Sequence, residues 1–128
     1  MKRLILLAED SEATLEMTKT QLEFLGYQVT LARNGVEAVA RALAELPDLI
    51  VMDVHMPVMD GLQAACQIRQ EPKTQSIPIL AATAKAMSGD REQCLAAGCN
   101  DYIAKPFTHR ELGPAIKKLL DKALADRQ

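Results

Sequence analysis

Five polar positions recur at the same point of successive apolar segments in this 128-residue chain: Glu9-Asp10 after Leu4–Ala8, Asp53 after Leu49–Met52, Thr83 after Ile77–Ala82, and Lys105-Pro106 after Asp101–Ala104. Three carboxylates, a hydroxyl and an ammonium can together hold a hard cation and a transferable phosphoryl group. Neighbouring carboxylates repel one another strongly unless a cation intervenes, and oxygen donors on a partly open site suit magnesium, which keeps several of its waters. With that charge neutralised, one carboxylate is left to attack phosphorus, because phosphoryl transfer asks mainly for positioning and electrostatic neutralisation. Thr83 and Lys105 would supply the remaining donors. Taken singly, each residue has a plainer reading: Glu9, Asp10 or Ser11 as a cap of the first helix, Asp53 as a solvated loop acid, Thr83 as a helix cap, Lys105 as a surface charge. Their recurrence at the ends of four segments is what the plainer readings leave unexplained.

The elements that must position these groups are legible as an alternation of strand-length apolar runs with segments of helical period. Leu4–Ala8, Tyr27–Ala32, Leu49–Asp53, Ile77–Ala82 and Asp101–Ala104 read as strands, each followed by a helical pattern. Helical connections demand a parallel sheet covered on both faces by right-handed crossovers. Runs one and three are continuously apolar and therefore central, whereas Tyr27–Leu31 alternates and the fifth run is short and polar, as edge strands are. The expected fold is α/β: a doubly wound five-stranded parallel sheet of order 2-1-3-4-5, flavodoxin-like, in one domain spanning residues 1–128. In such a sheet ligands bind beyond the carboxyl ends of the strands where the winding reverses, here between strands one and three. Gly26 and Gly98 read as helix stops, and Asn34 with Glu37, Asp60 with Gln63 and Thr108 with Glu111 as N-terminal caps. Gly113-Pro114 interrupts the last helical pattern, which predicts either a turn before a helix starting at Pro114 or a kink. The polar stretch Gln70–Ser76 reads as a mobile loop.

Composition excludes several function classes. A formal charge of −2, with the basic residues scattered, offers nucleic acid no electrostatic footprint. Cys66, Cys94 and Cys99 lack the clustered spacing of a zinc site and read as buried thiols in a reducing cytoplasm. The opening apolar run is too short for a signal peptide, and no stretch approaches a membrane span. The expectation is a soluble, cytoplasmic protein. The carboxylates after the first strand, without a glycine-rich cradle, would repel a nucleotide or flavin phosphate, which argues against a cofactor-binding enzyme.

Ala8-Glu9-Asp10, Asp53-Val54-His55-Met56-Pro57-Val58-Met59-Asp60-Gly61, Thr83-Ala84 and Asn100-Asp101-Tyr102-Ile103-Ala104-Lys105-Pro106-Phe107 together resemble the response-regulator receiver family, over nearly the whole chain. The resemblance implies a phosphoacceptor at Asp53 and Mg2+ held by Asp10, Asp53 and the backbone carbonyl of His55, with Glu9 supporting the ion through its waters. It further implies that Thr83 and Lys105 bind phosphoryl oxygens, that Thr83 and Tyr102 form a switch, and that Lys105-Pro106 is cis. The partners implied are a sensor histidine kinase or histidine phosphotransfer protein and a downstream protein target on the α4-β5-α5 face, with no external substrate turned over. His55 and Lys85, each two residues beyond a site residue, resemble positions that tune phosphoryl lifetime; His109 reads as a plain solvent-exposed histidine. The Met1 start and the solvated tail 123–128 favour a free-standing regulator over a receiver from a hybrid kinase. The competing reading is a receiver-fold scaffold that works without phosphorylation.

Overall fold

The computed structural model describes residues 2–84 and 90–126, so Lys85 lies outside the described residues. The elements run β1 (Leu4–Ala8), α1 (Glu12–Phe24), β2 (Gln28–Ala32), α2 (Gly35–Glu45), β3 (Leu49–Asp53), α3 (Gly61–Gln70), β4 (Ile79–Thr83), α4 (Asp90–Ala97), β5 (Asp101–Ala104) and α5 (His109–Asp126). All strand pairs are parallel, in the order β2-β1-β3-β4-β5. The continuously apolar strands are central and the alternating and short ones are edges, as the patterning requires. β4 starts two residues later than its apolar run, because the Ile77 N–H is drawn into a turn by the Thr74 carbonyl (3.1 Å) and Pro78 has no N–H to give.

Strand side chains alternate between two cores. Leu6, Ala8, Ile50, Met52, Ile79 and Ala81 face α2, α3 and α4, which bring the small Ala38, Ala42, Ala64 and Ala65 together with Ile68 and Cys94. Ile5, Leu7, Leu49, Val51 and Leu80 face α1 and α5, which bring Leu15, Leu22, Leu112 and Ile116. A two-residue period over continuously apolar strands fills both layers. Among the described residues no helix is long and apolar enough to cross a membrane.

The helix punctuation follows the sequence. The Asn34 side chain accepts from the Glu37 N–H (2.9 Å), Asp60 and Gln63 form a capping box, and Gly26 and Gly98 adopt φ of +97° and +111°. Three expectations need correction. α5 is continuous from His109 to Asp126 with Pro114 inside it, so no separate turn precedes Pro114; Gly113 sits where a Cβ would press on Leu25, the C-cap of α1 (3.2 Å), so α5 approaches the end of α1 closely there. Cys94 and Cys99 are buried as expected, but Cys66 is exposed on α3. The 70–76 stretch is pinned: Thr74 is fully buried and its hydroxyl donates to the Ile68 carbonyl (2.7 Å).

Arg69 completes that anchorage. Its Nε donates to the Gly98 carbonyl (2.8 Å), one terminal nitrogen to the carbonyls of Gln75 (3.1 Å) and Ile77 (2.7 Å), and the other to Asn100 Oδ1 (2.6 Å). The same Asn100 oxygen accepts the Ile79 N–H (2.8 Å), so one guanidinium ties α3 to the starts of β4 and β5 at the end of the sheet opposite Asp53. Replacing Arg69 with Met removes four charge-assisted bonds and leaves their acceptors short of donors. The expected loss is about 2 kcal/mol or more in urea unfolding; a loss below about 0.5 kcal/mol would contradict the clamp.

Candidate functional site

Sheet register decides which strand ends meet. Ala8 pairs with Met52, Asp53 with Ala82, and Thr83 with Ala104, so Glu9, Asp53, Thr83 and Lys105 emerge at the same edge of four adjacent strands. Glu9, Asp53 and Thr83 are buried, at 3%, 5% and 2% exposure, while Asp10 is exposed at the rim. One oxygen from each of Glu9, Asp10 and Asp53 lies within 4.8 Å of the others. The Lys105 ammonium reaches in from beyond β5, 2.5 Å from Glu9 Oε1 and 3.3 Å from Asp53 Oδ1. Its own N–H donates to the Thr83 carbonyl (2.8 Å), which fixes the start of that arm, and the Lys105-Pro106 bond is cis.

The loop from Asp53 to Gly61 forms one wall. The His55 N–H donates to Asp53 Oδ1 (3.3 Å), which places the His55 backbone beside the carboxylate while its side chain stands in solvent. Two glycines at helix starts hold the loop from outside. The Gly61 N–H bonds the Val54 carbonyl (2.9 Å) and the Gly35 N–H bonds the Met59 carbonyl (2.9 Å); a Cβ at either glycine would overlap a backbone carbonyl, that of Asp53 or Met59 respectively. Between them Val58 sits at φ +70°, a left-handed conformation rare for a β-branched residue, and is 83% exposed. Gly35 escaped the reading from sequence because a glycine after an asparagine cap looks like any helix start. Tyr102 lies on β5, half-buried against the core that α4 covers and paired in register with Ala81, two residues before Thr83. His109, expected in solvent, is half-buried with its ring edge-to-face on Phe24 at 5.1 Å between centroids.

Crowded carboxylates leave an electrostatic signature. Burial, and then the hydrogen bond and charge of Glu9, push the Asp53 carboxyl up to about 7 against the downward pull of Lys105. For Glu9, burial works upward, but hydrogen bonds with Lys105, Asp53 and the Ser11 N–H outweigh it and the net shift is downward. Lys105 is desolvated, which favours its neutral form, yet the two acids keep its affinity for a proton above the ordinary lysine range. The two carboxyls are pushed in opposite directions, Asp53 up and Glu9, nearer the ammonium, down. Three hard oxygen donors, one of them at the solvent rim, fit a divalent cation such as Mg2+, which tolerates few protein ligands and keeps waters.

The model of the response regulator receiver domain matches residues 5–117. The chain belongs to the response-regulator receiver family. It is 34% identical over 123 residues to the polar-differentiation response regulator DivK of Brucella anthropi, covering 96% of this chain and all of that protein. It is 44% identical to a segment of hybrid signal transduction histidine kinase G of Dictyostelium discoideum, covering 89% of this chain but only 3% of that much longer protein. Among solved structures, the receiver domain of a sensor histidine kinase from Pseudomonas aeruginosa, which holds a magnesium ion in its active-site cleft, superposes with a TM-score of 0.89 at 41% identity, covering 94% and 99% of the two chains. This receiver is accordingly a domain of two-component signalling, a class of signalling proteins rather than classical enzymes.

A carboxyl whose affinity for protons is raised by folding adds stability that is complete below its unfolded value of 3.8 and is lost as pH rises through about 7. Without divalent cations, Asp53→Asn therefore stabilises this receiver at pH 8, by on the order of 2 kcal/mol, and the gain disappears near pH 4. Thermal or urea unfolding at the two pH values reads the difference; a destabilising Asn at pH 8 would contradict the repulsion described.

Proposed function

We propose that this chain is a single receiver domain over residues 1–128 that takes a phosphoryl group on Asp53 from a phosphohistidine of a sensor histidine kinase or a histidine phosphotransfer protein. The convergence of Glu9, Asp10, Asp53 and Lys105 on one pocket carries this reading. Asp10, Asp53 and the His55 backbone carbonyl would hold Mg2+, with Glu9 acting through its waters; the magnesium ion in the cleft of the Pseudomonas receiver supports the assignment. The bound ion supplies charge neutralisation for the incoming phosphoryl oxygens.

The remaining work falls to the chain's own groups. An Asp53 carboxylate oxygen forms the new P–O bond as the donor's P–N bond breaks, and the imidazole leaves with the electron pair and takes up a proton. Lys105 lies 3.3 Å from Asp53 and is positioned to donate to an oxygen of the transferred group. Thr83, buried at the end of the neighbouring strand, is placed to reorient its hydroxyl towards another. A phosphoryl group adds roughly −1.5 to −2 charges and strong acceptors, so a domain that samples two arrangements is biased towards the one in which these donors face it. Tyr102, in register two residues before Thr83 on the adjacent strand, would carry that bias to the α4-β5-α5 face, where a downstream protein reads it. Catalysis in this scheme is confined to the domain's own phosphorylation and hydrolysis. Cys66, Cys94 and Cys99, none of which forms a disulfide, favour a reducing, cytoplasmic setting.

Incubation with Mg2+ and a small phosphodonor, or with beryllofluoride, is expected to give one adduct on the intact chain. Asp53→Asn and chelation of the metal abolish it, and Lys105→Ala slows phosphorylation by about 100-fold. A wild-type protein that takes no adduct, or an Asp53→Asn variant that reacts equally well, would favour a scaffold that works without phosphorylation.

A further inference from the structure

Arg69 is half-buried at the end of the sheet opposite Asp53. Four of the five N–H groups of its guanidinium are spent on neutral oxygens, those of Gly98, Gln75, Ile77 and the Asn100 side chain. Among the described residues no carboxylate lies within ion-pair distance of it. Burial works against its charged form, and the neighbouring Cys99 thiol, itself pushed up to about 12 by burial, is uncharged at neutral pH. A partly buried cation that is satisfied in hydrogen bonds but not in charge attracts an anion.

That cation lines a cavity of about 310 Å³ between the 70–76 segment, the start of β5 and the last turns of α5. Ser76, Asn100 and Lys122 line it too. The Asn100 oxygen accepts twice, from Arg69 and from the Ile79 N–H, so its amide nitrogen is left to donate. Neither the Ser76 hydroxyl nor the Lys122 ammonium has a hydrogen-bond partner among the described residues. Donors from four side chains therefore surround one space, against a single lining carboxylate, that of Asp126. Two cations and one carboxylate leave the cavity one net positive charge, which matches a monoanion, whereas a phosphate dianion would be repelled by Asp126. Leu119 and Ala123 supply an apolar wall. The volume lies at the lower end of the range of small-ligand sites.

We propose that this cavity is a binding site for a small organic monocarboxylate, its oxygens on Arg69, Lys122 and the Asn100 amide and its carbon chain against Leu119 and Ala123. The site requires neither the metal nor the phosphoryl group at the other end of the sheet. Occupation supplies the counter-charge that Arg69 lacks and so tightens the joint between α3 and the starts of β4 and β5.

The test is titration of the whole chain with sodium butyrate, followed by amide NMR, against sodium chloride and sodium phosphate at the same ionic strength and pH 8. Butyrate should shift the signals of Ser76, Asn100 and Lys122 saturably while chloride leaves them in place, and should raise the urea midpoint of wild type more than that of Lys122→Met. Lys122→Met, which leaves the Arg69 bonds intact, should weaken butyrate binding by about threefold or more. Asp126→Asn should strengthen it and admit phosphate, and Asp53→Asn should leave it unchanged. Shifts that rise without saturation, equal shifts with chloride, tighter binding of phosphate than of butyrate to wild type, or an unchanged butyrate affinity in Lys122→Met would overturn the site.

Discussion

Like charges held within a few ångströms of one another are the constraint around which this molecule is arranged. Glu9, Asp10 and Asp53 offer oxygens within 4.8 Å of one another at the carboxyl edge of a parallel sheet, and two of the three residues are almost fully buried. Such a cluster is unfavourable without a compensating cation, and Lys105 supplies only one positive charge. The unfavourable remainder is what the divalent ion proposed above would relieve. A site of this kind weakens the fold in which it stands, so the rest of the structure must hold it in place.

That support is built from small residues and backbone bonds. The alanines of α2 and α3 let those helices lie close on the sheet, and Gly35 and Gly61 let their first turns touch the loop that follows Asp53. The loop is bonded at both ends, through Val54 and Met59, and tolerates a left-handed valine between them. Backbone conformations of that kind persist where the surroundings over-determine them, and they gather at functional sites. At the opposite end of the sheet Arg69 gathers the loops before β4 and β5, so the strand register that aligns the acidic edge is fixed from both ends.

Much of this was legible in the residues. Continuous against alternating apolarity separated β1 and β3 from β2, and with the helical crossovers it led to the observed strand order, because burial on two faces and on one leave different periods. The convergence of Glu9, Asp53, Thr83 and Lys105 followed from topology alone, since all four stand at carboxyl ends of adjacent parallel strands. What escaped depended on contacts between distant segments. The polar 70–76 stretch looked mobile because the Thr74 hydroxyl and the Arg69 guanidinium act on carbonyls that no local pattern reveals. Pro114 looked like a break, yet its position on an exposed face lets α5 continue around it while Gly113 meets Leu25. The Lys105 ammonium lies nearer Glu9 than Asp53 by less than an ångström, and no spacing rule contains that difference.

The central claim is that these acids form a single cation site, and paramagnetic relaxation by Mn2+ added in place of Mg2+ tests it most directly. Amide signals of Glu9, Asp10, Asp53 and His55 should broaden first and together at substoichiometric Mn2+, with Mg2+ in excess restoring them, while those of Arg69 and Asn100 at the far end of the sheet stay sharp. Broadening spread over unrelated surface acids, or absent from Asp53, would contradict the account.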